Sequence, residues 1–231
     1  MIQRFKLEMN FSRTYFVKKI EDMNNRQGYD FSLQEKDLLL IQAEKFLSFY
    51  NQSQTAAHCA SVSNQAKHLA NRFNTNPIQA EVAGYLHDIS AIIPTPQRVM
   101  YAKSHGIPVL PEELKAPMIL HQKISTVICQ EVFGIEDQEI LSAVGCHTTL
   151  KKEASLLDKV VFLADKIAWD QTGQPPYQQK LLTALDRSLD AAVWVYLDYL
   201  WSQHENLVVI HPWFVDAYQE YIQYISTEKQ P

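Results

Sequence analysis

Apolar residues recur at a helical period along most of this chain, and that pattern restricts the fold more than any other feature. The strand pattern, in which every second residue is apolar, is scarce. The 231 residues also include only six glycines, so few positions favour tight turns. These features predict an all-α fold. A chain of this length, 46% of it hydrophobic, can bury one substantial core, and we expect one helical bundle with N- and C-terminal helical additions.

Capping residues and prolines predict where the helices begin. Ser32, with Glu35 three residues later, predicts a helix that runs to about Tyr50. Asn76 followed by Pro77 predicts another, because proline fits the first helical position. Further helices are predicted at about 55–73, 76–92, 116–133, 136–146, 154–169, 177–203 and 212–225, with a mixed segment at 95–111. We divide the chain into an N-terminal extension and helix (1–49), a central domain (50–170) and a C-terminal helical extension packed on the same domain (171–231).

Charge and cysteine content narrow the class of protein. A net charge of -5 without a basic block argues against a nucleic-acid polymer as partner, whereas metal ions and a few cations can hold a nucleotide. The cysteines form no CxxC pair, so we expect reduced, buried thiols at Cys59, Cys129 and Cys146. The N-terminus has no signal-like apolar core, and no apolar run approaches the ~20 residues that span a bilayer. We therefore expect a cytoplasmic protein that does not bind membranes.

Four histidines and two aspartates fall on the apolar faces of five predicted helices. His58, for example, shares its stripe with Val62, Ala66 and Leu69. The complete set is His58, His87, Asp88, His121, His147 and Asp165. Burying an aspartate or an unpaired imidazole in an apolar core is costly. A single inward histidine is usually a hydrogen-bonded core residue, but a shared cation explains six such groups together.

The chemistry of these six groups indicates the type of metal. Imidazole and carboxylate without thiolate suit iron, manganese or zinc better than calcium. Six ligands are too many for one catalytic ion that keeps an open position. We therefore expect two divalent ions, with iron as first choice and manganese or zinc as alternatives. Asp88 is our choice for a bridging carboxylate, and we assign catalytic roles to Asp88 and His87. Two ions about 3.5–4 Å apart can hold a nucleophile and the attacked phosphoryl oxygen together.

The ordered set of histidines and aspartates resembles the HD-domain metal-dependent phosphohydrolases. More narrowly, it resembles their YqeK-type subgroup, the symmetrical bis(5'-nucleosyl)-tetraphosphatases. The matching stretches are HCASVSNQAKHLA, AEVAGYLHDIS, ILHQKIST, VGCHTT and SLLDKVVFLADKI, within about residues 50–170. The resemblance implies that residues 50–170 form an HD domain. It also implies a di-iron or similar centre and hydrolysis of Ap4A to two ADP by a metal-bound hydroxide.

The residues that follow two of the matching stretches depart from the subgroup. Residues 89–92 lack the lysine that usually follows the His-Asp pair, and residues 166–170 lack the usual aromatic and Glu-Pro. Candidate substrate contacts are Thr148, Thr149, Lys166 and Arg98. The threonines also fit helix capping, and Lys166 also fits a surface position. The small-molecule substrate therefore stays open between Ap4A and another nucleotide.

Two other classes of protein are alternatives to a two-metal phosphohydrolase. His121 and His147 argue against the single-metal HD enzymes, which lack the two middle histidines. A catalytically silent nucleotide-binding regulatory protein is another alternative, although such a protein has little reason to keep six costly polar groups. The aromatic stretch 194–201 is typical of a buried or oligomer-facing helix, so a homodimer stays open too.

Overall fold

The computed structural model describes residues 33–169 and 172–228, and that part of the chain is helical without strands. Its α-helices are α1 (Leu33–Phe49), α2 (Ser53–Arg72), α3 (Pro77–Leu86), α4 (Thr95–Ser104), α5 (Pro111–Lys115), α6 (His121–Glu131), α7 (Gln138–Cys146), α8 (Leu156–Ile167), α9 (Gln178–Leu185), α10 (Leu189–Ser202) and α11 (Pro212–Glu228). Short 3-10 helices cover Ile89–Ile92, Pro117–Leu120 and His204–Asn206. The predicted all-α fold is confirmed. The predicted cap at Ser32 and the segment before it lie outside the described residues.

Helices α2 and α3 form the centre of the bundle, with α8 packed against both and α7 against α3 and α8. The predicted apolar stripe of α2 is fully buried at Val62, Ala66 and Leu69. Gly84 lets the two central helices approach, since a Cβ atom there would lie 2.9 Å from the Cα atom of Ser63. This close packing fixes the relative positions of the middle of α2 and the end of α3.

The prediction of one helix over residues 76–92 is wrong for the last six residues, 87–92. Asn76 caps α3 as expected, because its side chain accepts hydrogen bonds from the backbone N–H groups of residues 78 and 79. The α-helix then ends at Leu86, and a 3-10 helix begins at Ile89. The backbone of Asp88 leaves the α-helical region between them, at φ -109° and ψ 20°. His87 keeps α-helical dihedral angles, so the break changes the direction of the chain from Asp88 onward.

The helix predicted at 177–203 is also wrong, because it divides into α9 and α10. Ser188 caps α10, and its hydroxyl accepts a hydrogen bond from the backbone N–H of Ala191. The predicted mixed segment at 95–111 contains a regular helix, α4, which ends at Ser104 and is followed by a turn in which Gly106 has φ +68°. The remaining boundaries lie within a few residues of their predicted positions, except that the helix predicted at 116–133 starts with a 3-10 turn before α6.

The aromatic stretch of α10 packs on its own chain. Trp194 and Trp201 both stack on Tyr218 of α11, at centroid distances of 5.4 and 4.6 Å. Tyr196 contacts Phe162 of α8 edge to face at 5.3 Å. These contacts join the C-terminal helices to the helix that carries Asp165.

The predicted burial of the thiols is confirmed, because Cys59, Cys129 and Cys146 are all buried and not joined by disulfide bonds. In residues 33–169 and 172–228, no helix has the length and apolar character that crossing a membrane requires.

Candidate metal centre

Five helices and their ends bring the six predicted ligands to one place. His58 lies in the second turn of α2, His87 and Asp88 follow α3, and His121 begins α6. His147 follows α7, and Asp165 lies in the last turn of α8. Three overlapping groups have ligand atoms within 4.8 Å of one another: His58, His87 and Asp88; His87, His147 and Asp165; and Asp88, His121 and His147. The predicted convergence of the six side chains is therefore present in the structure.

Backbone carbonyl groups fix the orientation of three of the histidine rings. In each case Nδ1–H donates to the carbonyl three residues earlier: His87 to Gly84 (2.7 Å), His121 to Met118 (2.6 Å) and His147 to Val144 (2.8 Å). A carbonyl can only accept, so a neutral ring keeps the lone pair of Nε2 for the centre of the cluster. Nε2 of His121 and Nε2 of His147 come within 2.9 Å of each other.

The two oxygens of Asp88 face different histidines. Oδ1 lies 3.4 Å from Nε2 of His121 and 3.6 Å from Nε2 of His147. Oδ2 lies 3.7 Å from Nε2 of His87. Burial alone raises the pKa of Asp88, but the surrounding histidines outweigh that effect and hold the pKa well below its usual range. Asp88 therefore stays ionised and presents one oxygen to each side of the cluster.

Asp165 presents its oxygens to two different kinds of group. Oδ1 lies 3.1 Å from Nε2 of His58 and 3.6 Å from Nε2 of His87. Oδ2 accepts a hydrogen bond from the ammonium of Lys166 at 2.6 Å. Burial raises the pKa of Asp165, but Lys166 and the two histidines outweigh that effect and lower the pKa well below its usual value. This second carboxylate is therefore also ionised.

The arrangement fits bound divalent cations. Nε2 of His87 is fully buried and has no hydrogen-bond partner among the described residues. Burial alone lowers the pKa of His87, but Asp88 and other neighbours outweigh that effect and raise it well above the ordinary value. Burial lowers the pKa of His121 to about 4, so this ring is neutral. The neutral ring of His121, the unpartnered buried nitrogen of His87 and two ionised carboxylates together form a site that attracts positive charge.

Two serines that the sequence analysis did not identify support His121. The hydroxyl of Ser90 donates to the backbone carbonyl of His121 at 2.9 Å. The hydroxyl of Ser125 donates to Ser90 Oγ at 3.0 Å and accepts from the backbone N–H of Ser90 at 3.2 Å. Both serines are fully buried. Their polar character within apolar segments was the only sequence signal for them.

Gln122 supports the segment after α7 in a similar way, and it was also missed. Its Oε1 accepts from the backbone N–H groups of Thr148 and Thr149, at 3.2 and 3.3 Å. Its Nε2 donates to the hydroxyl of Thr149 at 3.1 Å. Gln122 is fully buried and directly follows His121 in sequence. It therefore ties the start of α6 to the residues that follow His147.

The predicted substrate contacts occupy different environments. The hydroxyl of Thr148 lies 2.9 Å from Nε2 of His121, at the cluster itself. Thr149 is buried, and its hydroxyl is hydrogen-bonded to Gln122 and to a backbone carbonyl. Arg98 is partly buried, and its charge interacts with that of Asp88. The ammonium of Lys166 is buried against Asp165. Thr148 thus lies at the cluster, and Arg98 lies near enough for its charge to interact with that of Asp88, and both stay predicted substrate contacts.

Comparison with known proteins identifies the family. Residues 55–170, which make up half of the chain, match the sequence model of the HD domain family. The protein therefore belongs to the HD domain family, as the ordered ligand set predicts.

Several relatives share this region. The chain is 47% identical over 139 residues to an uncharacterized protein in the pepC 5' region of Lactococcus lactis subsp. cremoris, over 60% of this chain and 70% of that one. It is 29% identical over 110 residues to the symmetrical bis(5'-nucleosyl)-tetraphosphatase of Bacillus subtilis (strain 168), over 48% of this chain and 59% of that one. It is 29% identical over 143 residues to a protein of the same name from Halalkalibacterium halodurans, over 59% and 71%. The match to the Bacillus subtilis enzyme thus spans less than two thirds of that protein.

A solved structure shares the fold. It is the crystal structure of a predicted HD superfamily hydrolase involved in NAD metabolism from Clostridium acetobutylicum, with a TM-score of 0.73 and 23% sequence identity. The superposition covers 80% of this chain and 97% of that one. The helical arrangement described above is therefore one that an HD superfamily protein adopts.

Proposed function

We propose that this protein is a two-metal phosphohydrolase that cleaves dinucleoside polyphosphates, converting Ap4A to two ADP. The observation that carries the proposal is the placement of Asp88, whose two oxygens face His121 and His147 on one side and His87 on the other. One carboxylate between two sets of donors is what a pair of neighbouring cations requires. The relatives that are symmetrical tetraphosphatases support the choice of substrate.

The donor set supports iron as the first choice of metal, with manganese and zinc as alternatives. The candidate ligands are His58, His87, Asp88, His121, His147 and Asp165. Divalent ions held there would supply Lewis-acid activation of water and of a phosphoryl oxygen. Because Nδ1 of His87, His121 and His147 is bound to a backbone carbonyl, the Nε2 lone pairs of these three rings would be available to such ions without reorientation.

Arg98 is our candidate for the main contact with the anionic substrate. Its Nε donates to the carbonyl of Ile93 at 3.1 Å, and its Nη1 donates to the carbonyl of Met118 at 2.8 Å. These two bonds fix the guanidinium plane and leave its remaining N–H groups for phosphate oxygens. The Met118 carbonyl also accepts from His121, so Arg98 and a metal ligand share one anchor. In this position Arg98 can replace the lysine that residues 89–92 lack.

Thr148 is our candidate for a second substrate contact. Its hydroxyl lies beside Nε2 of His121 and can donate to a phosphoryl oxygen that is held at the ions. Ions held at this site would supply activated water, so no side chain would have to act as a covalent nucleophile. We therefore expect direct attack of water on an inner phosphorus, which divides the Ap4A chain into two equal products.

Metal analysis of anaerobically purified protein, followed by hydrolysis of Ap4A in ¹⁸O-labelled water, tests the proposal. We expect about two metal ions per chain, ADP as the only nucleotide product, and the label in ADP. Products of ATP and AMP would contradict symmetrical cleavage. An intact metal centre without turnover of Ap4A would contradict the proposed substrate, and a panel of other nucleotides would then identify the alternative. Protein that binds nucleotide but hydrolyses none of the panel would instead support the regulatory alternative.

A further inference from the structure

Lys166 directly follows a candidate metal ligand, and its ammonium is buried within the protein. Only 11% of its side chain is exposed. Nζ donates to Oδ2 of Asp165 at 2.6 Å and to the backbone carbonyl of His147 at 3.3 Å. The rings of Phe162 and Tyr196 cover it, with centroids 5.2 and 5.6 Å from Nζ. The ammonium therefore has a carboxylate, a carbonyl and two aromatic faces around it.

These contacts hold the charged ammonium of Lys166 inside the protein. Burying an ammonium is costly, and the carboxylate and the aromatic faces compensate for the lost hydration. A phosphate could gain contact with Nζ only by breaking its bond to Asp165. Lys166 is thus poorly placed to bind substrate.

The contact with Lys166 gives the two oxygens of the Asp165 carboxylate different partners. Oδ2 is taken by the ammonium, whereas Oδ1 lies near Nε2 of His58 and near Nε2 of His87. The second bond of Lys166 reaches the backbone of His147, whose ring belongs both to the group of ligand atoms with Asp165 and to the group with Asp88 and His121. One lysine therefore connects ligands at the ends of α7 and α8.

We propose that Lys166 is a positioning residue that limits Asp165 to a single metal-binding oxygen. Its ammonium holds Oδ2 and directs Oδ1 toward His58 and His87, so Asp88 is left as the one bridging carboxylate among the six ligands. This inference rests on the proposed metal centre and adds to it a reason for the different roles of the two aspartates.

Binding of Mn²⁺ to the metal-free full-length protein tests this role without relying on activity. We expect Lys166→Met to weaken Mn²⁺ binding by roughly 10–100-fold, as loss of an outer-shell partner commonly does. Lys166→Gln keeps a neutral donor for Oδ2, and we expect it to recover part of that loss. The same variant serves where Lys166→Met does not fold.

Lys159→Met is the matched control. Lys159 lies on the same helix, pairs with Asp190 at 2.7 Å and has an aromatic ring near its ammonium, but it touches no candidate ligand. We expect this control to bind Mn²⁺ like the original protein.

Kinetics of Ap4A hydrolysis distinguish a role of Lys166 in positioning Asp165 from a role in binding phosphate. A positioning role predicts a lower kcat with little change in KM, whereas a phosphate contact predicts a higher KM with unchanged Mn²⁺ affinity. Unchanged Mn²⁺ affinity in both Lys166 variants would overturn the inference and leave the proposed function intact. An original protein that binds no Mn²⁺ or other divalent ion would reject the metal centre itself, and the inference with it.

Discussion

Asp88 connects the two halves of the candidate centre, one around His58 and His87 and one around His121 and His147. It belongs to two of the three groups of ligand atoms, one with His58 and His87 and one with His121 and His147. The third group, which consists of His87, His147 and Asp165, contains one histidine from each of these two groups but not Asp88. A change that removes its charge should therefore affect both halves at once.

We predict that Asp88→Asn abolishes Ap4A hydrolysis and lowers the number of bound metal ions. The amide keeps the size of the side chain but removes the negative charge that two cations would share, so the loss of affinity should exceed the roughly 10–100-fold typical of outer-shell changes. Metal content after dialysis and the initial rate are the measurements. Asp186→Asn, an exposed aspartate paired with Arg72, is the control and should leave both unchanged. Two retained ions and a near-normal rate in Asp88→Asn would show that the bridge is wrong.

At the residue scale, the sequence predicts the candidate ligands better than their supports. His58 and His121 could be assigned because their inward phase on helices is readable from neighbouring apolar residues. The sequence does not predict that the ammonium of Lys166 is buried against Asp165. That burial depends on Tyr196 of α10, which packs against α8 only in the folded protein. The pairing of Ser90 with Ser125 likewise joins segments 35 residues apart.

At the scale of helices, the contact between α2 and α3 determines the distance between His58 and His87. Glycine inside a helix costs about 0.5–1 kcal/mol relative to alanine, so Gly84 needs a reason. The reason is space, because a Cβ atom would lie 2.9 Å from Cα and 3.1 Å from N of Ser63. The backbone of α2 cannot yield without moving His58, which lies on the same helix.

We predict that Gly84→Ala lowers the free energy of unfolding by about 1–3 kcal/mol, the usual cost of overpacking. It should also weaken metal binding, because it separates the helices that carry His58 and His87. Urea unfolding and Mn²⁺ titration are the measurements. Gly145→Ala is the comparison, since its added methyl would meet only the hydroxyl of Thr126 at 3.0 Å, a side-chain atom that can move. Equal stability of both variants would contradict the explanation for Gly84.

The division between α9 and α10 shows why sequence patterns can miss a helix end. Residues 186–188 contain neither proline nor glycine, so the helical period continues through them. In the structure, Arg72 of α2 donates to the backbone carbonyl of Leu185 at 2.9 Å and to Asp186 at 3.0 Å. A carbonyl at the end of α9 is therefore satisfied from a helix more than 100 residues earlier. Local sequence holds no signal for such a partner.

At the scale of the whole molecule, a buried carboxylate joins the segment before α11 to the helix that begins with His121. Glu113 is fully buried and accepts from Lys123 of α6 at 2.8 Å. His211 lies 3.4 Å from it, and its Nδ1 accepts from the backbone N–H of Trp213. The ring of Trp213 in turn covers the ammonium of Lys123, with its centroid 4.9 Å from Nζ. This cluster holds the C-terminal helix against the part of the molecule that carries the candidate centre.

Protonation of Glu113 should weaken this connection in acid. Burial alone raises the pKa of Glu113, but hydrogen bonds from His211, from the Leu110 backbone and from Lys123 outweigh it and lower the pKa below the ordinary value of 4.5. The folded protein therefore releases this proton more readily than the unfolded chain. The stability that follows is fully present above about pH 4.5 and is lost as the pH falls through the lower pKa of the folded state.

We predict that Glu113→Gln lowers the free energy of unfolding at pH 7 by about 3–5 kcal/mol, because it leaves the ammonium of Lys123 without its buried partner. Urea unfolding of the metal-free proteins between pH 8 and pH 4 is the measurement, since removal of metal separates this effect from proton release at the ligands. The difference between the two proteins should stay constant down to about pH 5 and begin to shrink below pH 4.5. Glu136→Gln, at an exposed position, should match the original protein throughout. A difference that grows as the pH falls would have the wrong sign for a carboxylate with a lowered pKa, and the cluster would then owe its stability to packing around Trp213 instead of to the charge of Glu113.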